Sequence, residues 1–220
     1  MTDTKSSVLN AIRQALAKSV PEAAGGSSYN RQPKPNGSGT EPVLQHFVQM
    51  LDKVGGEGHI LDGEEAAISV LRGILGAVRG QGVLFPPDSE LERLGLQRLQ
   101  EESSVRTLRM SEITLEEAAE AALGITTAQA GIADTGTVVL LHTEPRGRLA
   151  ALLAPMHVVF LKKNVVYPDK ITFLDQARQG GLDLAATPMT WVTGPSLTAD
   201  IEKVLVRGAH GPHRVVVLLY

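Results

Sequence analysis

Residues 59–85, HILDGEEAAISVLRGILGAVRGQGVLF, decide the fold. The short apolar run at 59–61 has strand character. Residues 66–78 then place Val70, Leu71, Ile74, Leu75 and Val78 on one side of a helix. The run 82–85 is apolar throughout and is stopped by Pro86-Pro87, which cannot continue a ladder. A strand, a helix of about a dozen residues and a second strand form the unit that joins parallel strands, because parallel pairing needs a crossover.

The same alternation extends in both directions. Upstream, Leu44, Phe47, Val48, Leu51 and Val54 mark a helical face ended by Gly55-Gly56. Downstream, a helix is expected from Ser89, whose hydroxyl can cap it, and then a strand at 105–108. A further helix is expected over 112–122, capped by Thr114, with Glu116 and Glu117 in the first turn. Three strand–helix repeats before the midpoint predict a parallel sheet covered on both faces. The second half reads as strands at 137–141, 158–161, 165–167, 189–192 and 215–220, with helices at 171–179 and 200–206. A final run as apolar as VVVLLY belongs inside a sheet or an interface.

Composition narrows the function. With 43% apolar and 20% charged residues in 220, the chain is not wholly disordered. The longest nearly apolar stretch, 149–161, contains Pro155 and His157 and falls short of the ~18 residues of a membrane helix. No membrane span and no secretory leader are therefore expected. There is no cysteine, so this chain offers no thiolate to a disulfide, a zinc site or an iron–sulfur cluster. The cytoplasm is the expected compartment. A net charge of −3 disfavours wholesale nucleic-acid binding. Residues 1–19 carry Val8, Ile12 and Leu16 at helical spacing, and 20–40 hold prolines, glycines and polar residues with little to bury. The chain is therefore divided into an N-terminal helix and linker, 1–40, and a domain at 41–220.

Three segments can carry chemistry. In 124–137, GITTAQAGIADTGT, the turn Asp134, Thr135, Gly136, Thr137 combines a carboxylate, two hydroxyls and a residue free to take positive φ. It can present backbone N–H groups to an anion or aim Asp134 at a substrate; equally, its side chains can satisfy local backbone donors. In 191–201, Gly194 and Ser196 lie between a strand and the expected helix, whose N-cap would be Thr198. Neither a Walker pattern nor a nucleophile elbow is present there. In 208–213, GAHGPH, His210 suits proton transfer or ligand orientation, or a bond to backbone. His210 with His213, and His157 or Asp134 in space, make only a weak metal signal, and no metal site is expected. His46, His59 and His142 have no motif around them and read as structural. Asp134, Thr135, Gly136, Thr137, Gly194, Ser196, Thr198 and His210 are expected to converge where the strands reach their carboxyl ends, with Asp134 and His210 as the candidate catalytic pair.

The stretches GITTAQAGIADTGTVVLL (124–141), R-x-x-A-L-L-x-P-M-H (148–157) and VTGPSLTADIEKVLVRGAHGPHRVVVLL (192–219) resemble the lactate-utilization protein C family, also called the LUD-domain family. The likeness is specific over 124–220 and looser over 41–123. It implies a three-layer α/β/α fold of the class shared by sugar-phosphate isomerases and coenzyme A transferases. It implies a part in oxidising L-lactate to pyruvate, alongside iron–sulfur subunits as partners, with no redox cofactor on this chain. The family assigns no catalytic residue in this component. A stand-alone enzyme or binding protein for a phosphorylated sugar or an acyl-coenzyme A is the alternative, resting on fold analogy. A small anionic ligand is compatible with both readings.

Overall fold

A computed structural model describes residues 39–86, 88–109, 112–142, 148–199, 205–207 and 211–220. The expected first unit is present as β1 (Glu57–Ile60), α2 (Gly63–Ala77) and β2 (Gly82–Phe85), preceded by α1 (Glu41–Lys53). Burial of Leu44, Phe47 and Leu51 on α1, and of Ala67, Leu71 and Leu75 on α2, follows the helical period read from the sequence. All four residues of β2 are buried, as a strand covered on both faces requires. The chain continues through α3 (Ser89–Arg93), α4 (Leu96–Ser103), β3 (Arg106–Arg109) and α5 (Leu115–Ala119). Thr114 caps α5 in a capping box with Glu117, as its position suggests. For α3 the cap is Asp88 rather than Ser89: its carboxylate accepts from the backbone of Glu90 and Leu91. A carboxylate there both accepts hydrogen bonds and complements the helix dipole.

Most of the small-residue segment 124–137, for which the sequence suggests only the turn at 134–137, is strand. β4 (Ala121–Ala128) runs directly into β5 (Ala130–Ile132), followed by β6 (Thr137–Leu141), α6 (Leu149–Leu152) and β7 (Met156–Leu161). Next come a 3-10 turn, β8 (Val166–Tyr167), α7 (Lys170–Gln179) and β9 (Met189–Val192). Of the helix expected over 200–206, residues 200–204 lie outside the described residues and 205–206 are corrected: β10 (Leu197–Ala199) pairs antiparallel with β11 (Leu205–Arg207), and Thr198 is a strand residue, not an N-cap. A run as short as 205–207 establishes neither period, and pairing with 197–199 decides its state. The chain closes with β12 (Arg214–Leu219).

Six strands form one sheet in the order β1-β12-β7-β4-β2-β3, every neighbouring pair parallel. β12 is interior, as its composition predicts, and Val215 to Leu219 are buried on both faces. One face carries α2, α3 and α4 over Val83, Phe85, Leu123, Ile125, Val158 and Phe160. The other carries α1, α7 and a four-stranded sheet ordered β8-β5-β6-β9. α5 and α6 cover Leu84, Leu108 and Ala121 on that same side. This is a three-layer α/β arrangement around a parallel central sheet. Among the described residues, no helix is long and apolar enough to cross a membrane.

Candidate functional site

Strand order locates the place where a ligand crevice forms. From β2 the chain moves outward to β3 at the sheet edge, then returns to β4 on the other side of β2 and moves on to β7. The connections leaving β2 and β4 therefore part in opposite directions. At such a switch point the carboxyl ends of adjacent strands leave an open cleft. Beyond β2 stands Asp88, and at the end of β4 stand Thr127 and Gln129. The Asp88 Oδ1 caps α3, while Oδ2 accepts a hydrogen bond from the Thr127 hydroxyl. Gln129 bridges onward: its Oε1 accepts from the backbone N–H of Leu141 at 2.7 Å, and its Nε2 points to Thr127 Oγ1 at 3.5 Å.

The small second sheet brings further side chains to the same end. β5 folds back beneath the central sheet and β6 climbs again, so Leu141 and His142 return to the level of Gln129. His142 Nε2 lies 2.7 Å from Thr190 Oγ1 on β9, and its backbone N–H donates to the Pro188 carbonyl. Its pKa is lowered by burial, with the positive charge of Arg148 at the head of α6 adding to the effect. The imidazole is neutral at neutral pH.

Beside this cleft a charged network ties α2 and α3 to the ends of β7 and β12. Glu90 Oε1 accepts from Arg93 at 2.7 Å, Lys162 at 2.8 Å and the Tyr220 hydroxyl at 3.1 Å. Arg93 also pairs with Glu64 at the start of α2. The Arg93 hydrogen bond, reinforced by Lys162, holds Glu90 down at about 2. Every member of this network has a partner within it, so it ties these elements together.

The residues singled out in the sequence lie at the other end. Thr135 Oγ1 and Thr137 Oγ1 are 2.8 Å apart, and Thr137 Oγ1 is 2.8 Å from Thr193 Oγ1. Gly136, at φ 63°, seats its turn on the last residues of α1; a Cβ there would stand 2.2 Å from the backbone nitrogen of Leu51. Gly194 lies against Val54, and Ser196 donates its backbone N–H to the Pro212 carbonyl just before β12. The two turns therefore meet, but where β1 and β12 begin, which corrects the expectation that they gather at carboxyl ends. The reversal follows from β5, which carries 133–136 back down the face of the sheet. Asp134 is exposed there, its backbone N–H donating to the Pro168 carbonyl. His210 and the side chain of Thr198 lie outside the described residues.

His157 is fully buried on β7, with Nε2 2.8 Å from Thr126 Oγ1 and Nδ1 without a partner. Burial alone lowers its pKa to about 3. Among the described residues, no group of three or more His, Asp or Glu is placed to hold a metal ion. Asp88 and Gln129 escaped the sequence reading, and His142 read as structural there. The detectable signal was Asp88 directly after Pro86-Pro87, a capping residue at the end of a buried strand.

The sequence matches the LUD domain family over residues 44–220. Lactate utilization protein C of Bacillus velezensis is 31% identical over 159 residues, covering 68% of this chain and 66% of that protein. Its namesake in Bacillus subtilis is 31% identical over 150 residues, covering 64% and 62%. The namesake in Deinococcus radiodurans is 39% identical over 94 residues, covering 40% and 41%. The matched region thus spans less than two thirds of these relatives' own lengths. A crystal structure of a DUF162 family protein from Deinococcus radiodurans superposes with a TM-score of 0.59 at 19% identity, covering 81% of this chain and 96% of that one. That likeness shows the fold.

Proposed function

Because the chain belongs to the LUD domain family, we propose that it serves L-lactate utilization as a non-redox component of a cytoplasmic system oxidising lactate to pyruvate. The carrying observation is the similarity, across most of the domain, to proteins named lactate utilization protein C. Removing two electrons and two protons from lactate requires an acceptor. None of the 220 residues is cysteine, so this chain has no thiolates with which to hold an iron–sulfur cluster. In this reading iron–sulfur subunits accept the electrons, and the present chain contributes binding and proton handling. The carboxyl end of the sheet suits that division: β4 and β6 bring the Gln129 amide and the neutral His142 imidazole to it.

The test is deletion of the gene in a strain without another lactate-oxidising system. Growth on L-lactate should be lost, growth on pyruvate retained, and the first restored by the full chain. Anaerobic affinity purification of the tagged chain should bring down iron–sulfur proteins with lactate-dependent electron transfer. Unchanged growth on L-lactate after deletion would refute the proposal.

A further inference from the structure

β1 and β3 bound the central sheet, and β8 and β9 bound the smaller one. Charge and short length keep a sheet edge from accepting another strand. β3 carries exposed Arg106 and Arg109, β1 carries Glu57 and exposed His59, and β8 is two residues long. β9 has neither safeguard. It is four residues long, and no residue from 184 to 199 is charged. None of its residues is buried, whereas β6 beside it is buried over Thr137 to Leu140. Trp191, the chain's only tryptophan, is 40% exposed even though its ring meets Phe173 of α7 edge-on at 5.7 Å.

The ladder shows which main-chain groups this edge offers. The His142 N–H donates to the Pro188 carbonyl at 3.0 Å, so Pro188, Thr190 and Val192 direct their main-chain groups at β6. Those of Met189 and Trp191 point away from it, and among the described residues no second strand lies beside β9. Antiparallel pairing about a twofold axis at Thr190 would set Met189 opposite Trp191 of the partner subunit, each such pair exchanging both main-chain hydrogen bonds. Met189 and Trp191 share a face of the strand, so thioether would meet indole on both sides of the axis. Pro188 would fall at a non-hydrogen-bonded position, where its missing N–H costs nothing. A twofold interface needs a surface complementary to itself, and a charge on the strand would meet its own copy. A charged segment of another protein would find no counter-charge along 184–199. We infer that β9 is the edge through which two copies of this chain join, their four-stranded sheets becoming one continuous sheet.

The experiment measures the mass of the full chain by sedimentation velocity, with Trp191 fluorescence read on the same samples. With so short a paired edge, the mass should rise from one chain to two between about 1 and 100 µM, the emission shifting to shorter wavelength as the indole is covered. Met189→Pro deletes an outward N–H without touching the β6 ladder, and Trp191→Lys sets a charge in the joint. Each should weaken association by about ten-fold or more. Leu115→Lys, at an exposed leucine on α5, should associate like wild type. Amide exchange on the wild type gives a readout that does not depend on a variant folding. The N–H groups of Met189 and Trp191 should gain protection with concentration, while those of Thr190 and Val192 are protected throughout. A chain monomeric across that range would overturn the inference and leave the edge to an extended segment of another protein. A dimer indifferent to both β9 variants, or one in which Met189 and Trp191 exchange freely, would overturn it as well.

Discussion

Lowering the pH from 6.5 to 5 should cost the fold about 2 kcal/mol through His157 alone. The ring is fully buried on β7, bonded to Thr126 at 2.8 Å, with nothing nearby to stabilise a positive charge. Burial holds its pKa at about 3 against 6.5 for the unfolded chain. Between those values the unfolded state binds a proton that the native state refuses. Stability is therefore whole above the unfolded pKa and falls as pH drops from 6.5 toward 3, by about 1.4 kcal/mol per pH unit. Against a total margin of about 5–15 kcal/mol, 2 kcal/mol is readily measured. Urea unfolding between about pH 7.5 and 5 should show that slope in the wild type and a shallower one in His157→Gln. The difference between the two proteins isolates His157, because His142, whose pKa is also lowered by burial, contributes to both. Equal slopes would refute the claim that a neutral imidazole is locked in the core. At neutral pH, His157→Leu should also cost about 1–3 kcal/mol by stranding the Thr126 hydroxyl, and adding Thr126→Val should recover part of that loss.

Gly124→Ala should destabilise by about 1–3 kcal/mol or more, because its Cβ would sit 1.8 Å from the Ala150 carbonyl oxygen; thermal melting reads the loss. Asp88→Ala should cost about 1–3 kcal/mol by removing the α3 cap and stranding Thr127, and combining it with Thr127→Val should cost less than the sum in a double-mutant cycle. Glu90 is held down at about 2, so its contribution is present above pH 4.5 and lost as pH falls toward 2. Glu90→Gln should flatten the acid limb of the stability curve over that window, and a limb identical to wild type would show that the network with Arg93 and Lys162 adds nothing.

The fold was legible wherever one face of an element is apolar. Leu44, Phe47 and Leu51 announce α1, and Val83 to Phe85 announce a doubly buried strand, because burial imposes a period on the sequence. The central strand β4 was not legible. AALGITTA carries few large apolar residues, since Gly124 lets the backbone of α6 come into contact and Thr126 bonds a buried histidine. Close approach there removes the bulky side chains that a pattern search relies on. Residues 205–207 were misread for a different reason: three residues cannot establish a period, and their strand state depends on pairing with 197–199.

The candidate site was harder to read because hydroxyl and glycine content marks tight construction as readily as it marks binding. At the end where β1 begins, Thr135, Thr137 and Thr193 satisfy one another, and Gly136 and Gly194 let two turns press on the end of α1. Those residue types are what close packing of backbone on backbone demands. At the carboxyl end, Gln129 and His142 are unremarkable one by one and lie 13 positions apart in the chain. Only the return of β6 beside the end of β4 makes them neighbours. Their meeting beside a topological switch point is a property of the strand order, which local sequence patterns do not encode.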